Sequence, residues 1–383
     1  MASFLARVYA FQFFDSFILI FPLYVVMFAD AGLSPEQIAI VLIAWSVTAF
    51  VLNVPAGVVA DRWSRGLVLT LAQLARALCF VIWWAWPHFW GFLVGLMFWG
   101  VKSAFTGGTF EALLYDELKA AGAALEYPKI YGRSRALKAL AVILASLGAA
   151  VVAPLGYGTM LAASLAAVGA SVAAAASLPR AAKAVESRER DYFGHLRQGL
   201  ALAVGNRTVL GILTFSAGVL ALCGALEEFW PIFGAKVGLS RSMIAIFVGS
   251  QQAVEAVGSL AAHRLARAGL KWFHGLFTLA GGLLIAAAAL FSAPAMGLLA
   301  LYSGAMRLLD VAFEGRFQHA IPSENRATIG SVKGFFGEIG VTGLYMGLGP
   351  LAQATSYRTA FMICGMAGVA IGVGFLAGGA RRR

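Results

Sequence analysis

Gly57-Val58-Val59-Ala60-Asp61-Arg62-Trp63-Ser64-Arg65-Gly66 is the stretch on which the reading of this chain turns. One acid and two bases stand between two long apolar runs, 36–60 and 67–86. A spanning helix needs about 20 mainly apolar residues. Each run reads as one crossing, and the charged decapeptide reads as the short turn between them.

The same alternation extends in both directions. Apolar runs at 5–28, 36–60, 67–86, 89–115, 129–153, 159–178, 207–232, 240–262, 272–292, 295–319, 328–352 and 358–378 make twelve expected spans. The 383 residues are 60% hydrophobic and only 12% charged. Soluble domains carry about 25% charged residues, so this chain lacks the polar surface that a water-soluble body of its size needs. The runs are long, continuous and rich in Ala, Leu and Gly, which excludes the short alternating strands of a membrane barrel. The expected fold is all-α, with twelve transmembrane helices in two six-helix bundles: 1–178, a polar linker at 179–206, and 207–383.

The net charge of +11 does not point to nucleic acid, because the bases lie between apolar runs. If both termini are cytoplasmic, 23 of the 29 Lys and Arg fall on that side, and only Lys236, Arg241 and Arg358 fall on the other. Arg76, Lys102 and Arg307 fall within spans. This is the positive-inside bias of a multi-pass protein. The expected location is the bacterial inner (plasma) membrane, with the chain working as a monomer.

The two halves repeat. Gly32-Leu33-Ser34-Pro35-Glu36-Gln37-Ile38-Ala39-Ile40 returns as Gly238-Leu239-Ser240-Arg241-Ser242-Met243-Ile244-Ala245-Ile246. Phe21-Pro22 pairs with Trp230-Pro231, Gly57 to Arg62 with Ser259 to Arg264, and Phe110-Glu111 with Phe313-Glu314, all in chain order. Two six-span copies start on the same side of the membrane. They are parallel repeats of the kind whose substrate site lies near mid-bilayer between the halves.

Against this background the opening decapeptide resembles the signature loop of the major facilitator superfamily, roughly G-x-L-A-D-R-x-G-R-K. Gly57, Asp61, Arg62 and Arg65 match; Ser64 and Gly66 depart from the pattern. The resemblance implies rocker-switch alternating access, with Asp61, Arg62, Arg65 and the second-half Arg264 at an inner gate. It also implies that the first and fourth spans line the cavity. The fifth-span motif of the family's antiporters is blurred here: Pro154 is kept but the glycines are shifted.

Ionisable groups within spans are expensive and usually functional. Gln12, Asp15 and Ser16 share a face of the first span, with Asp15 near its middle, and Lys102 lies in the fourth, so an Asp15–Lys102 interaction is expected. Arg307, Asp310 and Glu314 form one stripe on the tenth span. Gln251, Gln252 and Glu255 lie on one side of the eighth, and Glu111 repeats Glu314. Arg76, Glu227, Glu228 and Glu338 are further buried candidates, read first as packing ion pairs or snorkelling side chains. Asp15 or Asp310 is the expected proton-coupling carboxylate.

Other chemistry finds no support. Cys79, Cys223 and Cys364 stand singly, and His88, His195, His263, His274 and His319 show no metal spacing. No nucleophile set, P-loop or cofactor motif occurs, so neither enzyme, metal nor cofactor is expected. Trp83, Trp84, Trp86 and Trp90 read as an interfacial aromatic belt. A role in binding is open for Trp45 and Tyr24. The expected partners are a small-molecule substrate, protons and the bilayer. The function read from the sequence is proton-coupled secondary transport of a small charged or zwitterionic organic solute, with efflux favoured. The alternatives are proton-coupled uptake, or a receptor or lipid-handling role on the same fold.

Overall fold

The computed structural model describes residues 1–179, 215, 218, 219, 221–266, 268–320 and 326–380. The linker expected at 179–206 lies almost wholly outside them. Two compact units result. One comprises Met1–Leu33, Ile40–Glu189 and Arg241–Gly249; the other comprises Ser34–Ala39, Arg190–Ser240 and Ser250–Arg383. Among the described residues ten helical segments are long and apolar enough to cross a membrane. A further helix, Arg326–Ala354, covers the span expected at 328–352. The span expected at 207–232 lies partly outside the described residues.

The first unit contains α1 (Ala2–Ser16), α2 (Tyr24–Asp30), α3 (Pro35–Arg62), α4 (Arg65–Ala85), α5 (Phe89–Thr106), α6 (Thr109–Ala120), α7 (Tyr127–Val152) and α8 (Tyr157–Ala176). The first residues of α3 belong to the second unit. The first expected span is not continuous. α1 ends at Ser16, Phe17 leaves the helical region at φ −82° and ψ 69°, and a short 3-10 turn with Pro22 leads into α2. Pro22 has no N–H to donate and crowds the preceding turn, so the helix restarts instead of running through. The fourth expected span also breaks, between α5 and α6, where Gly108 takes φ +73°. Such breaks are tolerated at membrane depth only where protein groups satisfy the freed backbone.

Val8 and Phe11 of α1 are fully buried against Leu69, Phe110, Leu114 and Leu118. A second aromatic cluster gathers Tyr24, Phe28, Phe80, Phe92 and Trp99 around Trp83. This corrects the belt expected from sequence. Trp83 is 1% exposed and stacks on Tyr24 at 6.0 Å, whereas Trp84, Trp86 and Trp90 remain exposed. Neighbouring helical residues point about 100° apart, so Trp83 and its exposed neighbour Trp84 face opposite environments. Gly95 makes room for it, because a Cβ there would overlap Trp83 Nε1.

The second unit contains a π turn at Ala221–Ala225, α9 (Trp230–Lys236), most of α10 (Arg241–Ala266), α11 (Leu270–Leu290), α12 (Met296–Ala320), α13 (Arg326–Ala354) and α14 (Tyr357–Ala380). Its helices meet through glycine. A Cβ on Gly281 would stand 2.9 Å from the Gly365 carbonyl, and one on Gly258 would stand 2.5 Å from the Gly304 carbonyl. Small residues of this kind let membrane helices approach closely.

The sequence repeat is realised atom by atom at the loop after the first span. Gly32 takes φ +90°, with Leu33 N donating to Phe28 O at 3.1 Å. Gly238 takes φ +85°, with Leu239 N donating to Gly234 O at 3.0 Å. Both ends close with the same left-handed glycine and the same hydrogen-bond span.

Candidate functional site

In the first unit, the break after Ser16 places Asp15 at the open end of α1. Its carboxylate and its main-chain carbonyl both need donors. α4 supplies them from Gln73 and Arg76, one turn apart on a buried face. Arg76 Nη1 donates to the Asp15 carbonyl at 2.7 Å, and Arg76 Nη2 donates to Asp15 Oδ1 at 3.0 Å. Gln73 Nε2 donates to the same Oδ1 at 2.6 Å, while its Oε1 accepts from Arg76 Nη2 at 2.5 Å. Lys102, four residues before the end of α5, completes the group with Nζ 2.7 Å from Oδ1. One acid thus faces two bases, all three buried, and Lys138 lies within electrostatic reach. The expected Asp15–Lys102 contact is present. Arg76, first read as a snorkelling or packing cation, is a direct partner of Asp15. Gln73 went unread, although its three-residue spacing from Arg76 in an apolar run was a usable signal.

In the second unit, the Gly258–Gly304 approach brings Glu255 of α10 onto Arg307 of α12. Arg307 Nε and Nη2 both donate to Glu255 Oε2, at 3.1 and 2.9 Å. Gln251 Nε2 and Gln252 Nε2 donate to Glu255 Oε1 at 3.1 and 3.4 Å. Asp310 Oδ2 lies 3.5 Å from Arg307 Nη1. Glu314 leaves this group and pairs with Lys333 of α13 instead. The expected stripe therefore divides between two neighbouring helices. Glu227 lies within reach of Glu255, Arg307 and Ser303. Trp230 Nε1 donates to Ser303 Oγ at 3.2 Å. The π turn preceding Glu227 is tied to α12, where Tyr302 OH donates to the Leu222 carbonyl at 2.6 Å.

The remaining candidates lie apart from these clusters. Glu111, in the first turn of α6, accepts from Tyr131 OH at 3.3 Å. Among the expected gate residues, Arg65 pairs with Asp116, while Asp61, Arg62 and Arg264 are exposed. At the end of α2, Asp30 Oδ2 accepts from Tyr157 OH at 2.6 Å and from Arg241 Nη2 at 2.7 Å. The Arg241 guanidinium lies over the Tyr157 ring, 4.3 Å from its centre. A cavity of about 370 Å³ opens beside these three residues, Trp84 and Phe92. Sequence reading counted Arg241 only as a base on the outer side. No group of metal ligands occurs among the described residues.

The family model of the Major Facilitator Superfamily matches residues 5–343. The chain belongs to this superfamily. Solved transporters share the fold at low sequence identity. The nucleoside transporter NupG aligns with TM-score 0.76 and 17% identity, covering 98% of this chain and 98% of that one. A bacterial homolog to the human lysosomal transporter Spinster, inward-facing and occupied, gives 0.72 and 16%, covering 98% and 95%. A D-xylose-proton symporter gives 0.72 and 12%, covering 96% and 95%. Comparison with curated proteins returned no match. The chain is a multi-pass membrane protein on a transporter fold.

Proposed function

We propose that this protein is a proton-coupled secondary transporter of a small charged or zwitterionic organic solute, working by alternating access and favouring efflux. The observation that carries this reading is the opposite sign of the two ion-pair clusters. Among the described residues the first unit holds Arg76 and Lys102 against Asp15. The second holds Glu255 and Asp310 against Arg307, with Glu227 close by. A surplus of buried donors suits a carboxylate or phosphate group, and a surplus of buried acids suits an ammonium or a proton. A neutral solute would need neither, and buried charge is costly to keep.

Coupling requires a carboxylate that exchanges a proton during the cycle, and Asp15 and Asp310 are the candidates that the sequence supplies. Asp61, Arg62, Arg65 and Arg264 are proposed to form the inner gate, supported by the loop pattern and by the Arg65–Asp116 pair. Proton-coupled uptake and a receptor or lipid-handling role remain the competing readings.

Proteoliposomes containing the purified protein would be given an imposed pH gradient and panels of labelled anionic, zwitterionic, cationic and neutral solutes. Movement of zwitterions or anions against the proton gradient supports the proposal. Movement with the gradient identifies uptake. Movement of neutral solutes alone, or of none, overturns it.

A further inference from the structure

Two carboxylates of the second unit are solvated by the protein in opposite ways. Glu255 receives four donations: two from Arg307, one from Gln251 and one from Gln252. That environment holds an ion, because charge-assisted hydrogen bonds are worth roughly twice neutral ones. Glu227 has only the Ser303 hydroxyl and the Arg307 guanidinium as donors within reach among the described residues. Its Oε1 is buried without a hydrogen-bond partner. Arg307, the base within reach, has Nε and Nη2 on Glu255 and Nη1 toward Asp310.

Charges around Glu227 add to this. Glu255 of α10 and Arg307 of α12 lie within reach of it, and Arg307 in turn contacts Glu255 and Asp310. Glu228 is adjacent in the chain, and on the α13 side Tyr345 is within reach of Glu228 and Glu338. Among the described residues here, acids outnumber bases. An ionised carboxylate with an undonated oxygen in such a place costs several kcal/mol or more, whereas the neutral acid leaves only a weakly polar oxygen unmatched. Like charges at close range oppose a second ionisation in the same way.

Glu111 is the useful contrast. Its Oε2 is also buried and unpartnered. Glu111 lies in the first turn of α6, and Tyr131 OH donates to its other oxygen at 3.3 Å. Asp15 differs further, because two bases and an amide converge on its Oδ1.

We infer that Glu227 is the proton-binding carboxylate of the second unit, held as a neutral acid beside the ionised Glu255–Arg307 pair. This rests on the proton-coupled reading above and moves the proton site away from Asp15 and Asp310. Trp230 and Ser303 form the supporting pair: the indole N–H fixes the hydroxyl oxygen, and in this assignment the hydroxyl turns its proton to the Glu227 carboxyl within its reach. Losing the proton would leave Glu227 in competition with Glu255 for Arg307. That competition links protonation to the contact joining α10 and α12.

Infrared spectra of the purified wild-type protein at neutral pH, without solute, test the assignment through the stretching band of a protonated carboxyl group. The expected band disappears in E227Q and persists in D15N, D310N, E255Q and E111Q. In S303A, which keeps the acid, the band moves to higher frequency because its hydrogen bond is lost; this arm decides the matter if E227Q does not fold. A wild-type protein with no such band, a band that survives in a folded E227Q, or an S303A band at the wild-type frequency would overturn the inference. The transport reading fails separately. If proteoliposomes move no solute under a pH gradient while the band still belongs to Glu227, the proton site stands without the transport cycle.

Discussion

The Asp15 cluster and the Glu255 cluster are both ion-pair groups on membrane-spanning helices, the first buried throughout and the second partly open at Arg307 and Asp310, and they are saturated in opposite senses. Around Asp15 donors exceed acceptors, so the single acid is held by everything near it. Around Glu255 and Glu227 acceptors exceed donors, so one acid takes the donors and the other goes short. A saturated ion is a fixed part of the structure. A group left short of donors can change state at low cost, which is what a transport cycle needs.

The harshest way to break this contrast is to remove the acid on which the first cluster converges. D15A leaves Arg76 and Lys102 buried without a counter-ion. Breaking a buried pair costs about 3–5 kcal/mol, so the expected outcome is a large fall in folded yield and melting temperature in detergent. K102M combined with D15N should recover part of that loss, because it removes one of the stranded charges.

The corresponding change in the second unit, E255Q, should cost less, since the Arg307 side chain is 37% exposed and reaches solvent. A melting shift equal to that of D15A would show that the two clusters do not differ in the way described.

G258A sharpens the comparison by leaving every charge in place. A Cβ there would meet the Gly304 carbonyl at 2.5 Å, and forcing apart a packed contact costs about 1–3 kcal/mol. It should lower melting temperature and weaken the Glu255–Arg307 pair together. A double-mutant cycle with R307K checks the coupling, and additivity would refute it. The smallest effect is expected at R241A. The Arg241–Asp30 pair is more than 40% exposed on both sides, and such pairs contribute about 0.2–1 kcal/mol. Melting curves of R241A and wild type should differ by little.

Much of this was legible in the residues, for identifiable reasons. Apolar runs bounded by charge gave eleven of the expected crossings because lipid leaves few alternatives. The Gly32 and Gly238 repeats marked identical helix ends because only glycine takes that φ without strain. Asp15 and Lys102 stood out as charges in apolar runs. What escaped depends on direction rather than composition. The break after Ser16 follows from Pro22, six residues on, in a run that looks continuous by hydropathy. Trp83 lies in a row with exposed tryptophans and yet faces inward. Glu227 and Glu228 are adjacent acids, and only the packing of Ser303 and Glu255 separates the first from its neighbour. Arg76 was visible as a charge, but its partner was not, since α1 and α4 are far apart in the chain.

The open end of α1 bears on how the protein enters the membrane. When the first crossing emerges during synthesis, Asp15 carries a charge that costs about 2.5–3.5 kcal/mol at mid-helix, together with a carbonyl that no helix turn satisfies. The groups that satisfy both, Gln73, Arg76 and Lys102, belong to the third and fourth expected crossings. The first crossing is therefore relieved of that cost only once the third and fourth have been made. Completion of the first four crossings, rather than of the first helix, is what removes the penalty of its charge.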